Sequence, residues 1–402
     1  KTSLSAILRD VTLSKSYAIN PQTMKIVIFQ PMLKKYRIAL FDLMGKSLAE
    51  QGHEFRVVCG SPPPNELLKG DNILADTNYC LVEKSWWFFN DKLHFMQHAA
   101  RHIKWADFVV TEQANRHFHN LMLIIFRMVG FKQFAYWGHG KNRQGNPNSL
   151  QEKIKKGLAK HCDWWFAYTK GVGNYLIELG YPAQKITVLN NSIDISDFKH
   201  LLAQHSADNT QQLKRQLGIA DNARIGLYCG ALYSNKKIDF LLNATSTIHR
   251  QNPDFVLLII GSGTDSELVE NFAQQHSFVK YLGPLFGEQK ALVFKSAEIF
   301  LCPGATGLAI LDAFSAGLPF FSSDDPNHGP EIDYLQHGIN GIMTASAKDD
   351  YANAVINVLE KPEELTILQH NALASSDQFS IENMAQNFVD GIQAYFDSQG
   401  IR

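Results

Sequence analysis

EIFLCPGATGLAILDAFSAGLPFFSS, residues 298–323, decides the fold. Its two ends, EIFLCPG (298–304) and LPFFSS (318–323), are short apolar runs edged by glycine or proline, the pattern of strands buried on both faces. Between them Gly304 and Gly307 turn the chain, and a small-residue apolar helix is expected to begin near Gly307. Strand, crossover helix and strand in this order make a βαβ unit, which requires a parallel sheet. Asp312 stands alone in that helix among apolar neighbours. A carboxylate so placed is unfavourable unless something binds it. It would lie roughly 7 Å from the helix start, about the reach from a diphosphate held at a helix N-terminus to its ribose. One carboxylate there can accept two ribose hydroxyls. A surface ion pair is the ordinary alternative.

The same pattern extends in both directions. RIGLYCG (224–230), FVLLIIG (255–261) and FVKYLG (278–283) precede the stretch, with helical segments between them. An earlier set comprises KIVIFQ (25–30), EFRVVCG (54–60), DFVVTE (107–112), FAYWGHG (134–140), DWWFAYT (163–169) and KITVLN (185–190). Two sets of alternating strands and helices imply an α/β chain with two Rossmann-like domains. The expected division is an N-terminal extension over 1–23, a first domain over 24–200 and a second over 201–380. The polar stretch 200–216 bridges them, and a final helix at about 381–402 packs back on the first domain. Two such domains side by side leave a cleft at the carboxyl ends of their strands.

Composition agrees with a packed protein: 402 residues, 45% hydrophobic and 19% charged, longer than a single core supports. The net charge of −1 conceals a split, with 26 Lys and Arg against 16 Asp and Glu in residues 1–200 and 12 against 23 thereafter. A basic first half is expected to face anions, although drift of surface charge is the ordinary alternative. The five cysteines are scattered without a Cys-x-x-Cys pair, as buried thiols in a reducing cytoplasm would be. Arg9, Asp10 and Lys15 interrupt any signal-peptide core, and no window reaches the roughly 20 apolar residues of a membrane span. Zinc spacings and nucleic-acid modules are absent, so no nucleic-acid partner is expected. No Asp-x-Asp pair is present, and Asp324–Asp325 reads as a turn, so metal independence is expected.

Three more motifs fall at strand ends. In GALYSNKKIDFLL (230–242), a strand stops at Gly230 and Lys236 and Lys237 meet the next helix start, a placement suited to phosphate. In WGHG (137–140), His139 lies in a glycine turn, where it can bond a sugar or move a proton. In HGPEIDYLQHGINGIM (328–343), a Gly-Pro turn sets Glu331 at a helix start, where capping is the competing role. A solvated lysine pair and a turn histidine are the ordinary alternatives for the first two. GSGTDSE (261–267) resembles a dinucleotide fingerprint only weakly, because its third glycine is missing.

From Met24 onward, the arrangement resembles the retaining glycosyltransferases of family four, with the GT-B fold. Four motifs occur in the family's order: the GHG turn, NSID (191–194), GALYSNKK, and GATGLAILDAFSAGLP followed by PEI. The chain departs from the family pattern where Gly304 replaces the first of two glutamates and Asp312 the second. Ala231 replaces an arginine, Lys237 replaces the glycine after the lysine, and QPMLKKYR (30–37) replaces a glycine pair.

The resemblance implies a second domain that binds a UDP- or GDP-linked sugar as co-substrate, with no separate cofactor, and a first domain that binds the acceptor. Asp312 would take the ribose hydroxyls. Lys236, with Gly230 and the backbone around Thr306, Gly307 and Leu308, would hold the diphosphate. Glu331 and Gly304 would lie on the nucleotide or sugar side, and His139 would reach the sugar from the opposite wall. Lys237, Lys34 or Arg37 would supply the missing positive charge. Transfer with retention is implied, on a glycan or lipid-linked acceptor of bacterial surface polysaccharide, at the inner face of the cytoplasmic membrane. SWWFFNDK (85–92) and HNLMLIIFRMVGFK (119–132) suit an anionic membrane surface if exposed, and core if buried. A sugar-nucleotide epimerase, a phosphorylase or a non-catalytic nucleotide-sugar sensor are the rivals.

Overall fold

A computed structural model describes residues 22–62, 77–140 and 156–400, so nearly all of the expected 1–23 extension lies outside the described residues. The first sheet has seven parallel strands in the order β3-β2-β1-β6-β7-β8-β9. They are β1 (Lys25–Gln30), β2 (Glu54–Gly60), β3 (Cys80–Glu83), β6 (Phe108–Glu112), β7 (Phe134–Gly138), β8 (Trp164–Ala167) and β9 (Ile186–Val188). A separate antiparallel hairpin, β4 (Ser85–Phe88) with β5 (Leu93–Met96), lies beside it. The second sheet is also parallel, in the order β12-β11-β10-β13-β14-β15. Its strands are β10 (Arg224–Cys229), β11 (Phe255–Ile260), β12 (Val279–Tyr281), β13 (Ile299–Leu301), β14 (Phe320–Ser323) and β15 (Gly341–Thr344). The sequence reading missed β3, the hairpin and β15, each of only four residues per strand, with Glu83 ending β3 and Gly341 opening β15.

Both faces of the first sheet are covered, and the side-chain period of two shows how. Ile26 and Ile28 of β1 join one core layer, while Val27 and Phe29 join the opposite one. The last helix, Ile381–Ser398, supplies much of the first layer through Met384, Phe388, Ile392, Tyr395 and Phe396. Phe388 stacks on Phe166 at 4.3 Å and Tyr395 on Phe108 at 4.0 Å. Each such buried ring contributes about 1.5–3 kcal/mol. The C-terminal helix is therefore part of the first domain's core.

The chain changes domain just after β9. Leu189 belongs to the first core and Leu202 to the second, so helix Ser196–Gln204 lies wholly with the second domain. The polar 200–216 stretch is not an open bridge. It is the end of that helix and a second helix, Ala207–Gln216, opened by a capping box of Ser206 with Asn209. Among the described residues, no helix is long and apolar enough to cross a membrane.

Candidate functional site

Four loops at the carboxyl ends of the second sheet pack backbone against backbone. A Cβ at Gly261 would meet the Gly230 carbonyl oxygen at 1.9 Å, and one at Gly263 would meet that of Leu232 at 2.2 Å. The GSG run is thus explained by close packing rather than by a dinucleotide. A Cβ at Gly304 would lie 2.3 Å from the Lys236 carbonyl carbon. No side chain fits there, so the glutamate usual in the family is excluded by the turn at Asn235–Lys236. Gly304 serves the site as a packing glycine.

That turn and the glycine loop hold each other. The Ala305 N–H donates to Asn235 O at 2.9 Å, and the Lys236 ammonium donates to Ala305 O. Among the described residues no carboxylate pairs with Lys236. Lys237 differs. Its backbone is left-handed (φ 55°), which accounts for the glycine usual at this place, and its ammonium pairs with Asp325 at 2.7 Å. Burial would raise the Asp325 carboxyl, but bonds from Lys237 and the Asn327 N–H hold it below its ordinary value. Asp325 is therefore more than a turn residue, and the expectation that Lys237 supplies free positive charge is corrected.

The backbone donors of the glycine loop are similarly divided. The Thr306 N–H donates to His328 Nδ1 at 3.1 Å, and His328 Nε2 donates to Ser323 O at 2.8 Å, which fixes a neutral tautomer. Burial keeps that imidazole neutral by lowering its pKa. The N–H groups of Gly307 and Leu308 remain without a partner among the described residues, so the expected cradle narrows to those two. Helix Ala309–Ser315 starts two residues later than expected, which puts Asp312 in its first turn, about 5 Å along the axis from Ala309. Asp312 is not solitary. Lys290, from helix Gly287–Ser296, reaches its Oδ2 at 2.8 Å and lies over Phe198 at 4.6 Å.

The first domain forms the opposite wall. Arg37 is 3% exposed, and its guanidinium lies over Trp137 at 4.7 Å and Tyr36 at 4.9 Å. It donates to Tyr168 Oη at 3.3 Å, and no carboxylate among the described residues pairs with it. His139 is exposed and stands edge-on to the same Tyr168 ring at 5.9 Å. Residues after β1, β7 and β8 thus converge, as strand ends of one parallel sheet must.

Glu331 joins the walls instead of capping a helix. The 3-10 turn Pro330–Tyr334 carries it, and Asn191 Nδ2 donates to it at 2.6 Å from the first-domain side. Tyr334 Oη donates to Asn191 O at 2.8 Å, while Asp333 accepts from Thr169 Oγ1 and the Gly171 N–H. Asn191, Asp333, Lys290, His328, Asp325 and Tyr168 escaped the sequence reading of the site. Tyr168 left a signal by following its strand as His139 follows β7, and Asn191 did so by opening the NSID motif.

Two facing Rossmann-like domains with these loops define the GT-B class. Solved structures agree in fold: Anabaena HepE in complex with UDP is 17% identical with a TM-score of 0.66, covering 92% of this chain and 100% of that one. The lipopolysaccharide outer core galactosyltransferase WaaB is also 17% identical, with a TM-score of 0.65, covering 92% and 99%. The family model described as Glycosyltransferase Family 4 matches residues 41–197, and that described as Glycosyl transferases group 1 matches 223–361. The chain belongs to this family of glycosyltransferases. An uncharacterized glycosyltransferase of Methanocaldococcus jannaschii is 27% identical over 219 residues, 52% of this chain and 54% of that protein. The lipopolysaccharide 1,2-N-acetylglucosaminetransferase of Salmonella typhimurium is 22% identical over 232 residues, 54% of this chain and 58% of that one. The match thus spans about half the length of these curated relatives.

Proposed function

We propose that this chain transfers a hexosyl group, with retention, from a UDP- or GDP-linked sugar to a glycan or lipid-linked acceptor in surface-polysaccharide assembly. The observation that carries the reading is Lys236, a cation without a carboxylate partner among the described residues, beside Lys237, whose charge Asp325 already neutralises. A diphosphate supplies the missing anion. It lies against the Lys236 ammonium and the Gly307 and Leu308 N–H groups, with the ribose hydroxyls on Asp312. The related structures named as complexes with UDP and with UDP-glucose support the donor class.

The chemistry follows from what the walls offer. A double displacement needs a carboxylate nucleophile beside the sugar, and position 304 has no room for one. Transfer on the front face is favoured: the acceptor oxygen bonds the anomeric carbon as its bond to the phosphate oxygen breaks. The acceptor proton passes to that phosphate oxygen, and a nucleoside diphosphate leaves. Fixed cations and N–H dipoles carry most of the acceleration by stabilising its growing charge. Arg37 and His139 act from the first-domain wall, His139 on the sugar hydroxyls.

An anionic membrane is the proposed partner surface. Helix Phe118–Met128 buries His119, Asn120, Leu123 and Ile124 and exposes Phe118, Leu121, Ile125 and Met128 at helical spacing. The neighbouring hairpin exposes Phe88, Phe89 and Phe95, with Phe95 5.5 Å from Phe118. Exposed Lys84 and Lys92 flank this apolar face, and basic residues near anionic lipid contribute about 1 kcal/mol each.

The test is product analysis. Incubation with UDP- and GDP-sugars and an oligosaccharide acceptor should give a new glycosidic bond whose anomeric coupling matches the donor's. A sugar epimer formed without acceptor would instead identify an epimerase, and binding without turnover a sensor.

A further inference from the structure

A cavity of about 180 Å³ opens beneath helix Phe118–Met128, beside the carboxyl end of β6. That is well above the ~30 Å³ share of one water, so it admits part of a ligand. Phe118, Leu121, Ile124 and Leu158 line it with apolar surface, and Gln113 and His117 supply polar atoms. Gln113 is 7% exposed, yet neither its Nε2 nor its Oε1 has a hydrogen-bond partner among the described residues. An amide unpaired at both ends is rare in a folded interior, and it presents one donor and one acceptor together. The side chain lies against the turn that carries His139, for a Cβ at Gly138 would sit 3.7 Å from Gln113 Cβ. The cavity thus adjoins the first-domain wall of the cleft.

The lining narrows the ligand. No lysine or arginine lines the cavity among the described residues. Burial, and then the neighbouring His119, His94 and Arg116, hold His117 well below its ordinary pKa, so it is neutral at pH 7. Among the described lining residues no cation would meet a carboxylate or phosphate there. An unsubstituted hexose would press hydroxyls against Phe118, Leu121 and Ile124. A lipid chain would leave Gln113 unpaired.

We propose that this cavity receives the N-acetyl group of an acetamido sugar in the acceptor. The acetyl methyl packs against the apolar wall, its carbonyl accepts from Gln113 Nε2, and an adjacent ring hydroxyl donates to Gln113 Oε1. The inference deepens the transferase reading and rests on it for the word acceptor.

The experiment measures binding of methyl glycosides of N-acetylglucosamine, N-acetylgalactosamine, glucose and galactose by saturation-transfer NMR, with UDP present, and UDP affinity by calorimetry. The acetamido glycosides should bind at least tenfold tighter than the hexosides, with strongest transfer to the acetyl methyl. Gln113→Leu and Gln113→Glu should remove that preference while UDP affinity stays unchanged. Equal binding of the two classes, no binding of either, or a preference that survives Gln113→Leu overturns the pocket. If a variant fails to fold, the wild-type discrimination alone decides. Failure of wild-type protein to bind UDP, GDP or their sugars counts against the transferase reading, whatever the acetamido result.

Discussion

Lys290 Nζ lies 2.8 Å from Asp312 Oδ2, so the carboxylate that the sequence isolates on its own helix is held by a cation from another. Both side chains are partly exposed, and such a pair contributes about 1 kcal/mol or less to stability. A ribose bonded to Asp312 adds hydrogen bonds to a charged group, worth about 1.5–3 kcal/mol. Asp312→Asn should therefore weaken nucleotide binding by that amount in calorimetry, with a small loss of stability. Lys290→Met should weaken it less than tenfold. The reverse order would make Lys290 the nucleotide contact and Asp312 its support.

Lys236 and Lys237 should separate function from stability. Lys236→Ala should lower turnover by about a hundredfold or more, the scale seen for a lost transition-state donor. Its stability should fall by no more than the one lost hydrogen bond to Ala305 O, about 1 kcal/mol. Lys237→Ala leaves the buried Asp325 unpaired and should lower stability by about 1–3 kcal/mol. The pH dependence has a definite sign. Asp325 has a depressed folded pKa, so its contribution is present above about pH 4 and is lost as pH falls through the folded value. Denaturant titrations over pH 2–7 should show a larger acid loss in the native protein than in Lys237→Ala, where only the Asn327 bonds remain.

Gly304→Glu restores the residue the family usually carries, and should damage this protein. The new Cβ would meet the Lys236 backbone, and overpacking of this kind costs about 1–3 kcal/mol or more. Reduced Tm and no gain in turnover are expected. An active variant of unchanged stability would show that the Lys236 turn can move aside.

The first domain should lose stability in acid through histidines. His94, His117 and His119 are buried together, with rings 5.1–6.2 Å apart, and burial lowers all three. His94 falls to about 4 and His119 to about 3. The unfolded chain takes up protons near pH 6.5 and the folded chain does not, so stability falls as pH drops from about 6.5 toward 3–4. Each such proton contributes ~1.4 kcal/mol per pH unit. His119→Leu should flatten the curve there. An unchanged curve would mean that these imidazoles titrate normally.

Sheet architecture was legible because parallel strands buried on both faces read as continuous apolar runs, whatever their partners. Gly304, Asp312, Lys236 and His139 were legible for a similar reason, since loops after such strands must face the cleft. What the sequence concealed was pairing between distant segments. Lys290 and Asp312, Lys237 and Asp325, and Asn191 and Glu331 each meet only after the sheets close, and no local spacing encodes their contact. The aromatic stretches failed as an either-or question, because helix Phe118–Met128 is core on one face and surface on the other. The meaning of Gly304 was hidden too, since the backbone it accommodates belongs to a different loop.

Thermal unfolding with and without nucleotides tests the central claim most directly. A ligand at a hundred times its Kd adds about 2.7 kcal/mol, which raises Tm by several degrees. The account predicts such a rise with UDP, GDP or one of their sugars, its near-complete loss in the double variant Lys236→Ala/Asp312→Asn, and no change in that variant's secondary structure. No stabilisation by any of these nucleotides, or stabilisation that survives the double variant, would contradict it.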